Sequence, residues 1–400
     1  MTASAVLDER LRAEIQALEA RALRRQRRVI AGSHGARINV EGRHCINFCA
    51  NDYLGLAADP RVAEAAQRVL RDSGTGSGAA ALVSGYNHEH RALEEALAEF
   101  LGAEATLLFS SGWAANLGAL RALVPPDAHL CADALNHASL IDGVRLTKAA
   151  YTRVAHADAA AFASAVGEAA GAAWMVTDGV FSMDGDHAPL SSLAAIGARQ
   201  GAPLYVDDAH GFGVCGPGGR GSLAAAGLSH AEVPVYVATL GKALGASGAF
   251  VAGSRTLIDY LVQKARTWVF STAPPPAMAA AARAALAILR AEPEHLQRLH
   301  ANIAQFRRGA AERGIPLGPP EGEASDHAIQ PLVIGDAART MAASAALFER
   351  GYWVAGIRPP TVPEGTSRLR ITLSAAHQPA EIQGLLDALH EVLMQQAVAA

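Results

Sequence analysis

Short apolar runs alternate with helix-like segments through the middle of the chain. From about Asp59 onward, each run is short enough for one strand and nearly continuous in apolar residues. Continuous apolar strands are typical of a sheet that is buried on both faces. The alternation therefore predicts an α/β fold with a mostly parallel sheet covered by helices on both sides. The predicted helices include 60–70, 91–101 and 113–123, and the predicted strands include 105–109, 173–177 and 203–206.

The segments on either side of this region have a different organisation. A helix is predicted over 7–23 and is followed by short extended stretches at 38–40 and 45–48. Four hundred residues can form more than one domain. We expect an N-terminal helical arm with short strands (1–58), a large domain (59–280) and a small α+β domain (281–400). In the last part the predicted helices are 278–289, 294–313 and 379–393, the strands are 329–333 and 369–373, and a Gly/Pro turn lies at 316–320.

Composition excludes several classes of function. A net charge of -4 and a pI near 6.4 provide no basic field for nucleic acid or anionic lipid. The longest apolar stretch, 233–253, contains Lys242 and three glycines, so it does not predict a membrane span. The four cysteines are too few and too scattered for a disulfide framework or a zinc pattern, and the N-terminus mixes acidic residues with arginines, unlike a signal or transit peptide. We expect a cytoplasmic protein without metal, whose partners are small molecules or copies of itself.

Three loops rich in small residues are candidates for phosphate binding. The loop 74–79 resembles a dinucleotide fingerprint but follows a predicted helix instead of a strand. The loop 216–221 lacks the Lys-Ser/Thr ending of a nucleotide-triphosphate loop, so a surface turn is expected there. The segment 110–116 fits better, because a buried strand ends in small residues and a helix begins. Backbone N–H groups at a helix start bind phosphate, although an ordinary capped helix fits the same pattern.

Two runs contain the residues with the strongest chemical signal. Asp207 comes directly after an apolar strand, where a carboxylate can pair with a protonated ring nitrogen, and His210 follows three residues later. Lys242 lies among apolar and small residues, an environment that lowers the pKa of an amine and favours imine formation. The chain has only three lysines against 31 arginines, and an isolated lysine is usually exposed. The Asp-x-x-His and Thr-x-x-Lys spacings together match the needs of pyridoxal phosphate, a carboxylate for the pyridinium nitrogen and an imine-forming lysine.

Further motifs extend over nearly the whole chain, at 51–56, 74–78, 82–86, 136–139, 178–185, 207–211, 271–272, 357–363 and 367–377. With these motifs the chain resembles the α-oxoamine synthase family of pyridoxal-phosphate enzymes, which have the aspartate aminotransferase type of fold (fold type I). This resemblance implies a large domain with a mostly parallel sheet of the seven-stranded type and a small α+β C-terminal domain.

The resemblance implies a role for each residue around the cofactor. Lys242 would hold pyridoxal 5'-phosphate as an internal aldimine and move the substrate α-proton, while Asp207 would keep the pyridine nitrogen protonated. His137 would stack on the ring, and Ser182 and His210 would contact the phenolic oxygen and its surroundings. The phosphate would be held by Gly112, Trp113 and Thr239, and Thr272 is expected to reach the phosphate of a neighbouring subunit, so a homodimer with shared active sites is implied.

The resemblance also implies the substrate contacts. Asn51 and Arg370 would bind the amino-acid carboxylate, since a guanidinium matches that group. Arg24 and Thr361 would contact the acyl substrate, although arginine clusters such as that around Arg24 are often solvated helix faces or dimer contacts. Strand alternation places Arg368 on the same face as Arg370, and either can serve as a structural ion-pair partner; the family pattern favours Arg370 for the substrate. The chain departs from the pattern at Trp113, where phenylalanine is common, and at Phe212, where a small hydroxyl residue is common.

The run Ile357-Arg-Pro-Pro-Thr-Val-Pro363 indicates which branch of the family the chain resembles. In that branch L-alanine condenses with a pimeloyl thioester, carried on coenzyme A or on acyl carrier protein, with loss of carbon dioxide. Alternatives remain open at this point. They are a glycine-using enzyme with an acetyl or succinyl thioester, a serine-using long-chain synthase, an aminotransferase, and a non-catalytic partner subunit of the same fold.

Overall fold

The chain folds as two compact units in the computed structural model, which describes residues 2–318 and 325–398. The large unit comprises 51–182 and 186–297, and the small unit comprises the described residues of 1–50, 183–185 and 298–400. The three-part division predicted from the sequence has other bounds and remains a prediction. Residues 319 and 320 of the predicted Gly/Pro turn lie outside the described residues.

The helices and strands are numbered in chain order. The helices are α1 Ala3–Ala20, α2 Pro60–Ser73, α3 His88–Leu101, α4 Gly112–Leu123, α5 Ala138–Thr147, α6 Ala159–Gly167, α7 Leu190–Gln200, α8 Ser222–Ala225, α9 Arg255–Lys264, α10 Arg266–Val269, α11 Pro276–Ala291, α12 Glu294–Glu312, α13 Ala337–Glu349 and α14 Pro379–Val398. The strands are β1 Ile30–Ala31, β2 Arg37–Val40, β3 Arg43–Asn47, β4 Ala105–Phe109, β5 His129–Asp133, β6 Ala150–Val154, β7 Ala173–Asp178, β8 Leu204–Asp207, β9 Val235–Thr239, β10 Ala249–Gly253, β11 Ile329–Gly335, β12 Tyr352–Trp353, β13 Ala355–Ile357 and β14 Ser367–Thr372.

The large unit is built on a seven-stranded sheet in the order β4-β10-β9-β8-β7-β5-β6. Strand β10 is antiparallel to both of its neighbours, and all other adjacent pairs are parallel. Residues of β4, β8 and β10 are buried along their whole length, as the apolar runs 105–109 and 203–206 predicted for β4 and β8. The predicted α/β class with a mostly parallel sheet is therefore confirmed.

Local sequence signals explain where the first helices of the large unit begin and end. Asp59 caps α2 by accepting from Arg61 N–H, and Pro60 occupies the first turn, where no intrahelical N–H partner is needed. Gly74 ends the same helix with a φ of 75°. Ser111 caps α4 by accepting from Ala114 N–H. Loop 74–79 therefore does follow a helix, and segment 110–116 does join a buried strand to a helix start.

The register of the parallel strands determines where polar side chains gather. Asp178 at the end of β7 is paired with Asp207 at the end of β8, and Asp207 is paired in turn with Val237 of β9. The carboxyl ends of these three strands therefore lie together at one edge of the sheet. Ligands of open α/β sheets bind at this edge.

The small unit contains two sheets of its own. One has the order β1-β2-β3-β12, with β12 parallel to β3, and the other is the antiparallel set β11-β14-β13. The predicted strand pair around 329–333 and 369–373 is β11 with β14. In the described part of the chain, none of the helices has the length and apolar character required to cross a bilayer.

Gly245 provides a test of how tightly the loop after β9 is packed. Its φ is +59°, and a Cβ at this position would overlap the backbone of Ala57. We expect Gly245→Ala to lower the free energy of unfolding by about 1–3 kcal/mol more than Gly227→Ala, because overpacking adds to the strain of a positive φ. Gly227 is the matched control, because its φ is +69° and an added Cβ would have no neighbour within 4 Å. Urea denaturation measures both variants, and equal losses would contradict the prediction.

Candidate active site

The candidate site lies at the carboxyl edge of the seven-stranded sheet. Asp178 and Asp207 end β7 and β8, and Lys242 follows β9 by three residues. His137 follows β5 and caps α5, where its Nδ1 accepts from Ser139 N–H. Four elements that are separated in sequence therefore contribute one chemically active side chain each, as expected for the edge where parallel strands end.

The carboxylate of Asp207 is buried and held by two donors. Its Oδ2 accepts from the side-chain amide of Asn116 at 2.6 Å, and its Oδ1 accepts from Ala209 N–H at 3.0 Å. Such bonds compensate the carboxylate for the loss of water and fix the direction of its oxygens. Asp207 is therefore a fixed acceptor at the end of β8.

Asn116 links Asp207 to the ring of His137. The fully buried amide accepts from the Tyr205 hydroxyl at 2.9 Å and donates to Ser139 Oγ at 2.8 Å as well as to Asp207. Ser139 Oγ lies 2.7 Å from Nδ1 of His137. Both amide protons and the amide oxygen of Asn116 are thus used, and one side chain orients both the carboxylate and the imidazole.

Lys242 is the end of a second hydrogen-bonded chain. Its Nζ lies 2.7 Å from Nε2 of His210, whose Nδ1 lies 2.6 Å from the Tyr53 hydroxyl. The Tyr53 hydroxyl in turn lies 3.3 Å from the side-chain oxygen of Asn51. Tyr53 and His210 are buried, whereas Lys242 is partly buried. The amine is therefore oriented by a buried imidazole, and its environment is less enclosed than the apolar sequence around it predicted.

The residues predicted to bind the phosphate lie at the start of α4 and at the end of β9. Gly112 and Trp113 form the first turn of α4, and the indole, 44% exposed, meets the His137 ring edge to face at 6.2 Å. The Thr239 hydroxyl donates to Gly248 C=O at 3.0 Å and accepts from Gly241 N–H. The first N–H groups of a helix have no partner within the helix, so α4 offers donors to an anion.

Acidic side chains are concentrated at this edge of the sheet. Burial and the charge of Asp207 raise the pKa of Asp178 well above its usual value. Burial also raises the pKa of Asp208 to about 6, although that carboxylate accepts from Ser222 and from the Tyr236 hydroxyl. A cationic or protonated group bound beside Asp207 would relieve this repulsion.

Two more predicted residues of the large unit lie on loops. Ser182 is partly buried and follows Phe181 in the loop after β7. Thr272 is exposed and forms a short antiparallel bridge with Ala80. The roles of both residues at the cofactor remain predictions.

The small unit contains the remaining predicted substrate residues. Arg24 is exposed and pairs with Glu19, and the Thr361 hydroxyl accepts from Arg25 at 3.2 Å. Arg370 is buried and donates to the Thr372 hydroxyl at 3.0 Å. Arg368, on the same face of β14, forms an ion pair with Asp184.

The structure identifies three contributors that the sequence did not assign, namely Asn116, Ser139 and Tyr53. All three lie inside motifs that the sequence distinguishes on other grounds, at 110–116, 136–139 and 51–56. Nothing in their spacing predicts their hydrogen bonds, because they come from α4, from α5 and from a loop before α2. For Asn116 the available signal was a polar residue one helical turn after the helix start that was predicted to bind phosphate.

The residues at this edge fit pyridoxal phosphate. The group needs an amine for its aldehyde, a carboxylate for its ring nitrogen and donors for its phosphate. Lys242, the doubly held carboxylate of Asp207 and the start of α4 match these three needs. Within the described residues, no cluster of three or more His, Cys, Asp or Glu side chains is arranged to hold a metal ion.

Comparison with known proteins agrees with this chemistry. The family model of class I and II aminotransferases matches residues 43–389. The 8-amino-7-oxononanoate synthase of Methylococcus capsulatus is 52% identical over 381 residues, which covers 95% of this chain and 97% of the relative. That of Halorhodospira halophila is 53% identical over 352 residues and covers 88% and 87% of the two chains.

Solved structures give the same result for the fold. The serine palmitoyltransferase of S. paucimobilis with a bound PLP-myriocin aldimine superimposes with a TM-score of 0.92 at 29% identity, over 100% of both chains. An 8-amino-7-oxononanoate synthase from Francisella tularensis superimposes with a TM-score of 0.76 at 29% identity, over 88% of this chain and 99% of that one. The predicted fold type I architecture is therefore confirmed.

Asn116 offers a test of the network around Asp207. We expect Asn116→Ala to weaken cofactor binding and lower kcat about 10- to 100-fold, because a lost hydrogen bond to a charged group costs about 1.5–3 kcal/mol. The dissociation constant of pyridoxal phosphate and steady-state kinetics measure the two effects.

Asn302→Ala is the matched control for this test. Asn302 is a buried amide of the small unit that donates to the carbonyls of Ser374 and His377. Asn302→Ala should lower the free energy of unfolding but leave the dissociation constant of pyridoxal phosphate unchanged. Wild-type affinity and turnover in Asn116→Ala would contradict the assigned role of the amide.

Proposed function

Because the chain belongs to the class I and II aminotransferase family, and within it to the 8-amino-7-oxononanoate synthases, we propose that it catalyses the condensation that gives those enzymes their name. L-alanine reacts with a pimeloyl thioester and gives 8-amino-7-oxononanoate, carbon dioxide and the free thiol of the carrier. The chain is thus a pyridoxal-phosphate-dependent acyltransferase of biotin biosynthesis. The reaction class is supported by the position of Lys242 and Asp207 at the same edge of the sheet. The choice of substrates is supported by the similarity to the synthases.

Lys242 supplies the amine that holds the cofactor. Pyridoxal phosphate, when bound, supplies an aldehyde for amines and a ring that stabilises negative charge at the substrate Cα. Lys242 Nζ would hold this group covalently at rest. Once the amine of the amino acid has replaced it there, the released Nζ would take and return the Cα proton. His210, 2.7 Å from Nζ, orients the amine, and Tyr53 holds His210 from its other side.

Asp207 and His137 act on the ring. Asp207 keeps the pyridine nitrogen protonated, because a fixed carboxylate favours the charged form of a facing N–H. The bonds from Asn116 and Ala209 keep that carboxylate in place. His137, oriented through Ser139, covers one face of the ring, and Ser182 binds the phenolic oxygen.

The phosphate contacts lead to a proposal about assembly. Gly112, Trp113 and Thr239 bind the phosphate at the start of α4 within one subunit. Thr272, exposed on its bridge to Ala80, contributes to the phosphate site of a second copy. The enzyme is therefore a homodimer with shared active sites.

Four further residues are assigned to the substrates. Asn51 and Arg370 bind the carboxylate of alanine, and Arg24 and Thr361 contact the pimeloyl group. In support of the acyl contacts, Arg25 donates to Thr361 and Arg358 donates to the Arg24 carbonyl at 2.6 Å, so these two residues belong to one surface of the small unit. Coenzyme A and acyl carrier protein are both candidate carriers. All four cysteines are free thiols, which supports a reducing compartment such as the cytoplasm.

A long-chain reaction with serine is the second candidate. It is favoured by the TM-score of 0.92 with serine palmitoyltransferase. The identity of that protein to this chain is 29%, whereas the synthases are about half identical over nearly the whole chain. Shared backbone geometry identifies the fold, and the substrates follow the side chains of the site.

A substrate panel separates the candidates. We expect alanine with pimeloyl-CoA to give the highest kcat/KM among alanine, glycine and serine tested with pimeloyl, acetyl, succinyl and palmitoyl thioesters. Glycine, which lacks the methyl group of alanine, should have a kcat/KM about 10- to 200-fold lower, since one such group in an apolar pocket contributes discrimination of this size. Preference for glycine with acetyl-CoA, or for serine with palmitoyl-CoA, would refute the proposal.

The lysine assignment has an unusually simple test, because the chain has three lysines. Borohydride reduction of the holoenzyme followed by peptide mass spectrometry should find the cofactor on Lys242 alone. Lys242→Ala should lose turnover and the visible absorption of the bound cofactor, since no other side chain there forms an imine. Lys264→Ala, an exposed lysine at the end of α9, is the control and should keep both. Visible absorption retained in Lys242→Ala would refute the assignment.

A further inference from the structure

His156 lies between two carboxylates beside the loop that follows β7. Its Nδ1 is 3.0 Å from Asp133 Oδ1, and its Nε2 is 2.7 Å from Asp186 Oδ2. An ionised carboxylate only accepts hydrogen bonds, so both ring nitrogens must donate. The geometry thus describes an imidazolium that bridges two aspartates.

The two aspartates are held in different ways. Asp133 ends β5 and also accepts from Leu135 N–H and Ala157 N–H, so it is fixed to the sheet. Asp186 has no comparable support, because among the described residues its Oδ1 is buried without a hydrogen-bond partner. Removing the imidazolium would leave Asp186 as an uncompensated carboxylate, and the loop would have to move to return it to water.

Asp186 belongs to a narrow hairpin formed by residues 179–188. Val180 pairs with His187, and Phe181 N–H donates to Asp186 C=O at 2.9 Å. The His156 ring also meets the Phe181 ring edge to face at 4.4 Å. His156 therefore contacts both strands of the hairpin, next to its tip at Ser182.

His156 keeps its positive charge at neutral pH. Burial alone would lower the pKa of the imidazole, but the hydrogen bonds and charges of Asp133 and Asp186 outweigh it and raise the pKa to about 10. A raised pKa means that the stabilisation is complete below the unfolded value near 6.5 and is lost as pH rises through about 10. At neutral pH the imidazolium therefore keeps Asp186 joined to Asp133.

We infer that His156 is a positioning residue, which fixes the hairpin 179–188 to β5 and thereby holds Ser182 where it can contact the cofactor. This inference rests on the proposed function, because the contact of Ser182 with the phenolic oxygen belongs to it. His156 touches no reacting atom in this scheme. It acts through the hairpin.

A double-mutant cycle between His156 and Ser182 tests the inference. His156→Gln and Ser182→Ala should each shift the visible absorption of the holoenzyme and lower kcat/KM about 10- to 100-fold, as expected for displacement of a positioned group. The double variant should be no worse than the poorer single variant, since both changes remove the same contact. Multiplicative losses, or an unshifted spectrum in His156→Gln, would overturn the inference.

Hydrogen exchange provides a measurement that does not depend on the reaction. In the apoenzyme, amides of residues 179–188 should exchange faster in His156→Gln than in the wild type, while those of α4 should be unchanged. Asp186→Asn removes only the loop side of the bridge and should give the same pattern if His156→Gln folds poorly. Unchanged exchange in the hairpin of either variant would overturn the inference.

His129→Gln is the matched control. His129 begins β5, the strand that Asp133 ends, and its Nε2 lies 2.8 Å from the neutral Thr152 hydroxyl of β6 instead of between two carboxylates. It should leave the spectrum, kcat/KM and hairpin exchange at wild-type values. The exchange and spectral results stand whichever substrates the panel identifies, so failure of the proposed function and failure of this inference can be told apart.

Discussion

The organisation of the large unit depends on the stabilisation of one buried carboxylate, that of Asp207. A carboxylate removed from water is costly unless hydrogen bonds and opposite charge replace the solvent. The parallel sheet meets this need by ending β8 beside α4, where the Asn116 amide reaches Oδ2 and Ala209 N–H reaches Oδ1. Burial, and after it the charge of Asp207, raises the pKa of Asp178 and of Tyr205. The same local field favours a protonated ring nitrogen over a neutral one, so the requirement for stability and the requirement for chemistry coincide at this residue.

Three histidines near this edge differ according to their partners. His137 faces a serine hydroxyl, His210 lies between a tyrosine hydroxyl and an amine, and His156 lies between two carboxylates. Only the carboxylates force both ring nitrogens to donate, and so only His156 is fixed as a cation by its geometry. The first two are available to orient a ring and an amine. His156 is instead suited to holding the backbone in place, because it keeps its positive charge at neutral pH.

The sequence predicted the elements with strong apolar periodicity and the residues with distinctive chemistry. Helices α2 and α4 and strand β4 were predicted to within a few residues, since caps such as Asp59 and Ser111 mark their boundaries. Strand β6 was not predicted, because it is a sheet edge whose residues Ala150 to Arg153 are exposed and lack a continuous apolar run. Lys242 and Asp207 could be singled out because each follows an apolar strand. Asn116, Ser139 and Tyr53 could not, because their hydrogen bonds join separate elements. Asn116 bonds to Ser139 and Asp207, and Tyr53 bonds to His210. Which elements meet depends on strand order, which local patterns do not determine.

The scarcity of lysine is informative once the contacts are known. Arginine carries the ion pairs of this chain, as in Arg61 with Glu292, Arg283 with Glu89 and Arg313 with Asp387. These roles require only a lasting positive charge, and a guanidinium provides it with more donors than an ammonium. An imine requires an amine that can lose its proton and form a carbon–nitrogen double bond, which a guanidinium does not do under these conditions. Lys148 and Lys264 are exposed, whereas Lys242 contacts a buried imidazole. A composition that replaces lysine by arginine wherever charge suffices therefore leaves lysine where covalent chemistry demands it, and Lys242 stands out in this way independently of any relative.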